Sequence, residues 1–143
     1  MNISSLNTEL SINTLINRLA ILIDSSRYDE AAQIFAPEGS LQRPGEHIQT
    51  RDAILASFKG RSPARFTRHI ISSCFVEPDN QNGAKSTTYV TVFRDHGQKD
   101  EKPALPLAYR NPETIAEYHD VWVCRDEQWF ILERVVKPVF EIA

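Results

Sequence analysis

Apolar residues recur at helical spacing in the first quarter of the chain. Between residues 12 and 24 they fall three or four positions apart, which places them on one face of a helix. The members of this stripe are Ile12, Leu15, Ile16, Leu19, Leu22 and Ile23. Ser26, followed by Asp29, is typical of the start of a second helix, and Pro37 cannot continue it. Two helices are therefore predicted before residue 37.

The remaining pattern predicts one more helix and then strands. Thr50 is a favourable N-cap and Gly60 a favourable C-cap for a third helix. Before it, residues 38–49 are best interpreted as a short strand and a turn. After residue 60 the period changes from 3.6 to two, which is the period of a half-buried strand. The long strands are predicted at 65–77, 84–95, 113–125 and 128–138.

The order of these elements predicts the fold class. Helices followed by antiparallel strands indicate an α+β fold and not a parallel, doubly wound sheet. Residues 79–83 have turn chemistry, and residues 96–112 contain three prolines with little periodicity, so a long loop or lid is expected there. A length of 143 residues favours a single domain over residues 1–143.

Composition and charge limit the possible partners and the cellular setting. The net charge is -3 and no basic stripe is present, so nucleic acid is not an expected partner. The N-terminal apolar residues are interrupted by Asn17 and Arg18, which predicts neither a signal peptide nor a membrane span. Cys74 and Cys124 lie in apolar strands, so free thiols and a cytoplasmic location are expected.

His69 lies at the head of a strand that otherwise resembles core. Strand alternation gives its side chain the same direction as those of Thr67, Ile71, Ser73 and Phe75. That face is expected to turn toward the helices. A histidine there is either a hydrogen-bonded core residue or the working group of a cavity, and both interpretations stay open.

Asp24 is a second candidate because it ends the first apolar helix just outside the stripe. A carboxylate there could face a cavity between helix and sheet. It could equally be a solvated helix-terminal residue, or cap the next helix with Ser25 and Ser26.

One later strand presents two faces of different character. Tyr118, Asp120 and Trp122 share one face. The other face carries Glu117, His119, Val121 and Val123. The pattern leaves open which of them lines the interior.

Metal and cofactor motifs are absent from the sequence. The four histidines, His47, His69, His96 and His119, form no closely spaced pair and have no cysteine nearby. There is no glycine-rich phosphate loop and no G-x-S-x-G motif. Neither a metal nor a cofactor is therefore expected.

Four segments resemble the SnoaL-like branch of the nuclear-transport-factor-two-like superfamily. They are "LIDSSRYDEAAQIFAPEG", "TRHIIS", "TYVTVFR" and "EYHDVWVCRDEQWFILER", and they span nearly all of residues 10–138. The resemblance implies an α+β cone, in which three N-terminal helices pack in the concave face of a strongly curved, mostly antiparallel sheet. It also implies a largely apolar pocket for a small molecule at the open end.

Within this superfamily the sequence is similar to scytalone dehydratase. The resemblance implies that Asp24 is the catalytic aspartate and that His69 is the base it supports. The two tyrosines of the dehydratase are replaced by Ile23 and Arg43, and His96 lies near the place of its second histidine without matching it securely. The substrate-binding residues implied by the fold are Leu19, Ile23, Phe58, Phe93, Tyr118 and Trp122.

Two functions therefore remain open. One is a lyase or isomerase that acts by Asp-His acid-base chemistry on an apolar, oxygenated, polyketide- or aromatic-like substrate. The other is a non-catalytic binding protein or subunit, because small subunits of ring-hydroxylating dioxygenases contain similar sequence segments. The ketosteroid isomerase mechanism lacks its tyrosine and its aspartate here. A homodimer is expected from the large apolar residues Trp122, Trp129, Phe130 and Val135.

Overall fold

The computed structural model describes residues 3–80, 82–97 and 101–142. The elements, in chain order, are α1 (Ile3–Asp24), α2 (Tyr28–Ala32), β1 (Phe35–Arg43), β2 (Glu46–Gln49), α3 (Arg51–Lys59), β3 (Phe66–Asn80), β4 (Gly83–Asp95), β5 (Thr114–Arg125) and β6 (Gln128–Glu141). Residue 81 in the predicted turn and residues 98–100 in the predicted loop lie outside the described residues.

The strands form one six-stranded sheet in the order β2-β1-β6-β5-β4-β3. Every neighbouring pair is antiparallel except β1 and β6, which are parallel. The predicted α+β class and the mostly antiparallel sheet are thus confirmed. The strong curvature expected of the sheet stays a prediction.

The helices differ from the sequence prediction mainly at their ends. Helix α1 begins at Ile3 and not at residue 12, because the preceding segment contains no proline or glycine to prevent helix formation. Helix α2 is only five residues long. Its N-cap is Arg27 and not the predicted Ser26, because Ser26 adopts a left-handed backbone conformation. The cap of α3 is as predicted, since the Thr50 hydroxyl accepts a hydrogen bond from the backbone amide of Ala53.

The core lies between the helices and the inner face of the sheet. Its largest fully buried apolar side chains are Ile12, Ile16, Leu19, Phe35, Ile54, Phe58, Trp122 and Ile131. Burial of each such side chain stabilises the fold by about 1.5–3 kcal/mol. The apolar stripe of α1 therefore fixes the helix against the sheet, and this places Asp24, at the end of α1, beside β3.

A bulge in β3 changes which side chains face inward. The pairing with β4 shifts by one residue between Ile71 and Ser73, and a one-residue shift exchanges the two faces of a strand. Thr67 and Ile71 face inward as predicted, but Phe75 is 62 % exposed and Val76 is buried instead. The prediction that Phe75 shares the face of His69 is therefore wrong, because uninterrupted alternation was assumed.

Candidate active site

A cavity of about 830 Å³ opens on the inner face of the sheet. Part of its wall is apolar and comes from the end of α1, from α3 and from strands β4, β5 and β6. The apolar lining includes Ile23, Phe58, Val90, Val92, Ala116 and Val136. Its volume lies within the range of about 300–1,000 Å³ found for small-molecule pockets.

His69 lines this cavity, and Asp24 binds its ring from behind the wall. The Asp24 Oδ1 atom lies 2.6 Å from the His69 ring nitrogen Nδ1, and Oδ2 accepts a hydrogen bond of 2.8 Å from the backbone amide of His69. The Thr67 hydroxyl donates a further bond of 2.8 Å to Oδ1. Both side chains are largely buried, with 7 % of Asp24 and 10 % of His69 exposed. Helix α1 and strand β3 thus deliver one carboxylate and one imidazole to the same point.

The hydrogen bonds around Asp24 determine its charge. Burial alone would raise the pKa of the Asp24 carboxyl, but the hydrogen bonds and charge of His69, together with the hydrogen bond from Thr67, hold that pKa below its ordinary value. A carboxylate can only accept hydrogen bonds, so Nδ1 of His69 carries the proton. In the neutral ring the lone pair is then on Nε2, on the side of the imidazole that is not bound to Asp24.

A second ionic pair lies deeper on the same face of the sheet. Arg134 donates two hydrogen bonds to Asp120, of 2.8 and 2.9 Å, and both side chains are buried. The guanidinium carbon of Arg134 lies 4.0 Å from the ring centroid of Tyr118, within reach of a cation-π interaction. Burial raises the pKa of the Tyr118 phenol, so this group keeps its proton at neutral pH.

Three of the six residues expected to bind substrate line the cavity. They are Ile23, Phe58 and Tyr118. The inner face of β5 is therefore the one that carries Tyr118. Asp120 and Trp122, which are buried, share this face. The binding role of these residues stays a prediction.

The other three do not line it. Leu19 is fully buried one turn before Ile23 and packs in the core. Trp122 is also a core residue, and its indole nitrogen donates a hydrogen bond of 2.8 Å to the Ser86 hydroxyl. Phe93 lies on the opposite face of β4 from Val92, so it lines a separate depression.

Sequence reasoning missed most of the charged residues of the cavity, although Arg43 and His96 were noted in the dehydratase resemblance. Five arginines line it, namely Arg43, Arg61, Arg65, Arg94 and Arg134. His96 also reaches the cavity, where its Nε2 atom lies 3.3 Å from Glu113, although most of its side chain is exposed. Isolated arginines along a chain carry no spacing signal, because the fold gathers them from separate elements.

Neither a metal centre nor a membrane helix is apparent in the described part of the chain. Within residues 3–80, 82–97 and 101–142, no three side chains of His, Cys, Asp or Glu are grouped as metal ligands would be. No helix among these residues combines the length and hydrophobicity needed to cross a membrane. The cysteines Cys74 and Cys124 are free thiols.

Solved structures share this fold across nearly the whole chain. A putative scytalone dehydratase from Novosphingobium aromaticivorans is 17 % identical, with a TM-score of 0.82, covering 99 % of this chain and 91 % of its own. A hexachlorocyclohexane dehydrochlorinase (LinA) of type 2 is 14 % identical, with a TM-score of 0.79, covering 100 % and 94 %. A protein from Catenulispora acidiphila, in complex with S-DNPA, is 19 % identical, with a TM-score of 0.72, covering 93 % and 94 %.

The sequence itself gives a narrower result. Among curated proteins no sequence matches this chain. The family model of the SnoaL-like domain, however, matches residues 4–135. Since that match covers nearly the whole sequence, and the fold agrees with it, the chain belongs to the family of SnoaL-like domains.

Proposed function

We propose that this protein is a lyase or isomerase that binds an apolar, oxygenated small molecule of polyketide or aromatic type. The observation that carries the proposal is the Asp24-His69 pair at the wall of an 830 Å³ cavity. A buried carboxylate bound to Nδ1 is the arrangement that prepares an imidazole for proton transfer. A cytoplasmic location fits such an enzyme and is part of the proposal.

The chemistry follows from the two groups. Nε2 of His69 takes a proton from the carbon next to a substrate carbonyl, and the electrons of that C–H bond form an enolate. The Asp24 carboxylate stabilises the imidazolium that results. His69 then returns the proton, either to a leaving hydroxyl, which departs as water, or to another carbon of the substrate. The first outcome is a lyase reaction and the second an isomerase reaction.

The cavity supplies binding groups suited to such a substrate. Ile23, Phe58 and Val90 offer apolar contact to its carbon skeleton. Tyr118 retains its proton because burial raises the pKa of the phenol, so it is the group we propose to donate a hydrogen bond to the substrate oxygen. This gives Tyr118 the polarising role for which the sequence offered no tyrosine at residues 23 and 43.

Two structural neighbours favour the lyase outcome. One is a putative dehydratase and the other a dehydrochlorinase, so by name they remove water and hydrogen chloride. Both reactions break a C–H bond and expel a neighbouring group. At 17 % and 14 % identity the likeness itself concerns the fold, and the same chemistry in this chain rests on Asp24 and His69.

We further propose that the protein is a homodimer. Trp122, one of the residues that suggested this, is buried and offers no contact surface. Ile70, Phe75 and Tyr89, on the outer face of β3 and β4, are each about half exposed or more and offer an apolar patch instead. Sedimentation of the wild type and of Phe75→Asp tests this, and a wild type that sediments as a monomer contradicts it.

The test of the catalytic proposal is proton exchange on a model ketone. 2-Tetralone has acidic protons next to its carbonyl, and their loss in heavy water is followed by proton NMR. The wild type is expected to accelerate this exchange, and His69→Gln to lower the accelerated rate by about 10²- to 10⁴-fold. Equal rates for the two proteins, or no acceleration by the wild type, would overturn the proposal and favour a non-catalytic binding protein or subunit.

The matched control is His119→Gln. His119 also binds a carboxylate, with its Nε2 atom 2.9 Å from Glu117, but this pair lies on the outer face of β5, away from the cavity. This variant makes the same substitution, histidine to glutamine, at a carboxylate-bound histidine outside the cavity. The exchange rate of this variant is expected to equal that of the wild type.

A further inference from the structure

Four arginines from three segments of the chain gather along one part of the cavity. Arg43 ends β1, Arg61 and Arg65 lie in the connection between α3 and β3, and Arg94 lies near the end of β4. Each is only partly exposed. The mechanism proposed above uses none of them, so their presence needs another explanation.

The acidic residues of the cavity balance only half of this positive charge. Arg43 pairs with Glu46 at 3.0 Å and Arg94 with Glu113 at 2.8 Å. Within the described part of the chain, Arg61 and Arg65 form no ion pair. Glu141, the third acidic residue of the lining, forms none with them either. In this part of the structure, neither guanidinium therefore has a carboxylate within salt-bridge distance. Arg65 is favoured by the more distant charge of Glu113, and Arg61 lies 5.2 Å from the centroid of the Phe58 ring.

The surroundings of these two groups make the imbalance costly. Burial, with the neighbouring charges of Arg65 and Arg43, lowers the pKa of Arg61 to about 10. Burial and the charge of Arg94 also lower the pKa of Arg65. Both remain charged at neutral pH. In the described structure, the Nε atoms of Arg43, Arg65 and Arg94 are buried without a hydrogen-bond partner. Buried donors of this kind are usually satisfied by an acceptor.

We propose that the ligand of this cavity carries a carboxylate, which binds between Arg61 and Arg65, on an apolar body that extends toward His69. A carboxylate matches the planar, forked donor set of a guanidinium and can accept two hydrogen bonds from it. The apolar wall formed by Phe58 and Val90 holds the remainder of the molecule. The inference rests on the proposed function, since it assigns a substrate class to the same cavity.

The experiment compares two ligands of nearly equal shape and different charge. 2-Naphthoate carries a carboxylate, and 2-acetonaphthone carries a neutral acetyl group on the same ring system. Titration calorimetry is expected to show that the wild type binds naphthoate about tenfold more tightly or better, because charged hydrogen bonds of this kind contribute that much. A third ligand, 2-naphthyl phosphate, distinguishes a carboxylate site from a phosphate site.

Variants locate the preference. Arg61→Gln and Arg65→Gln are each expected to reduce it, and the double variant to remove it, with acetonaphthone affinity unchanged. The matched control is Arg68→Gln, because Arg68 lies one residue before His69 on the exposed face of β3 and does not line the cavity. It removes the same charge without changing the site. Circular dichroism shows whether each protein is folded, and the two single variants keep the test valid if the double variant is not.

The contrary outcomes are separate from those of the catalytic test. Equal affinities for the two naphthalenes, failure of both to bind, a preference that neither single variant reduces, or tighter binding of the phosphate would overturn the carboxylate site. None of these results changes the exchange of 2-tetralone by His69. Conversely, if the protein shows no exchange activity but still prefers naphthoate through Arg61 and Arg65, the catalytic proposal is overturned and the carboxylate ligand is supported.

Discussion

Two buried carboxylates on the inner side of this fold bind different kinds of basic side chain. Asp24 binds the imidazole of His69 beside the cavity, and Asp120 binds the guanidinium of Arg134 within the sheet. A histidine changes its charge near neutral pH, whereas an arginine keeps its proton throughout the accessible range. The first pair can therefore move a proton during a reaction, and the second can only hold a fixed charge in place.

The surroundings of the two pairs agree with this division. Asp120 accepts both of its side-chain bonds from a single group, Arg134, which joins two neighbouring strands. Asp24 accepts bonds from Thr67 and from two atoms of His69, and so connects a helix to a strand. Burial and pairing are common to both carboxylates and do not separate them. The titratable partner and the cavity beside it are what make Asp24, and not Asp120, the candidate for acid-base chemistry.

The largest effect is expected from removing one member of the Asp120-Arg134 pair. Arg134→Met leaves the Asp120 carboxylate buried without its countercharge, and breaking a buried pair in this way costs about 3–5 kcal/mol of unfolding free energy. Urea denaturation measures the change. The double variant Asp120→Leu with Arg134→Met is expected to lose less than the two single changes added together. Strict additivity would show that the two charges do not stabilise each other.

The same variant also tests whether the two pairs have separate roles. Arg134 lines the cavity as well as binding Asp120. If Arg134→Met folds with nearly unchanged stability but loses exchange activity on 2-tetralone, Arg134 belongs to the reacting site and the division between the two pairs is wrong.

Asp24→Asn is expected to affect activity more than stability. The asparagine oxygen can still accept the backbone amide of His69, which turns the amide nitrogen of residue 24 toward Nδ1. That nitrogen donates, so the imidazole proton moves to Nε2 and the base is lost. Exchange on 2-tetralone should fall by about 10²-fold or more. A variant with wild-type exchange would show that His69 acts without Asp24. The control is Asp29→Asn, since Asp29 is largely exposed on α2.

These two pairs also show how far the sequence leads. Asp24 and His69 could be named as candidates because Asp24 ends an apolar helix and His69 begins an apolar strand. The SnoaL-like resemblance implies that the two act together. Their roles stay predictions, although the geometry brings them together. The pairing of Asp120 with Arg134 could not be foreseen, because counting back from the turn at residues 126 and 127 places Asp120 opposite Glu133. A bulge shifts the register by one residue and puts Arg134 there instead.

The same limit explains the errors in the fold and in the lining residues. Helical periodicity and strand alternation sufficed for eight elements in the right order and for the α+β class. The segment predicted as one short strand and a turn, residues 38–49, contributes to two strands, β1 and β2. A bulge leaves no clear mark on the sequence, so the face of Phe75 was predicted incorrectly. Burial depth is not a local property either, so Leu19 and Trp122 could not be distinguished from residues that line the cavity.

The pH dependence of stability provides a further test of the Asp24 pair. The hydrogen bonds at Asp24 hold its pKa in the folded protein below the ordinary value of 3.8. The stability that Asp24 contributes as a carboxylate is therefore fully present above about pH 4 and is lost as the pH falls through the lower, folded-state pKa. The difference in unfolding free energy between wild type and Asp24→Asn should therefore shrink as the pH falls below about 4. A difference that grows over this acid range would reverse the sign of the shift.

The smallest effect is expected from the hydroxyl that distinguishes the surroundings of Asp24. Thr67 is buried and donates one hydrogen bond to Asp24 Oδ1, and this bond helps to lower the pKa of the carboxyl. Thr67→Val keeps the shape of the side chain and removes the donor, which should cost about 1 kcal/mol in urea denaturation and move the acid transition of the Asp24 carboxyl toward its ordinary pKa. Thr67→Ser, which retains the hydroxyl, should leave that transition in place. A Val variant with an unshifted acid transition would mean that His69 alone keeps Asp24 ionised, in which case the two bonds from His69 suffice to maintain the pair.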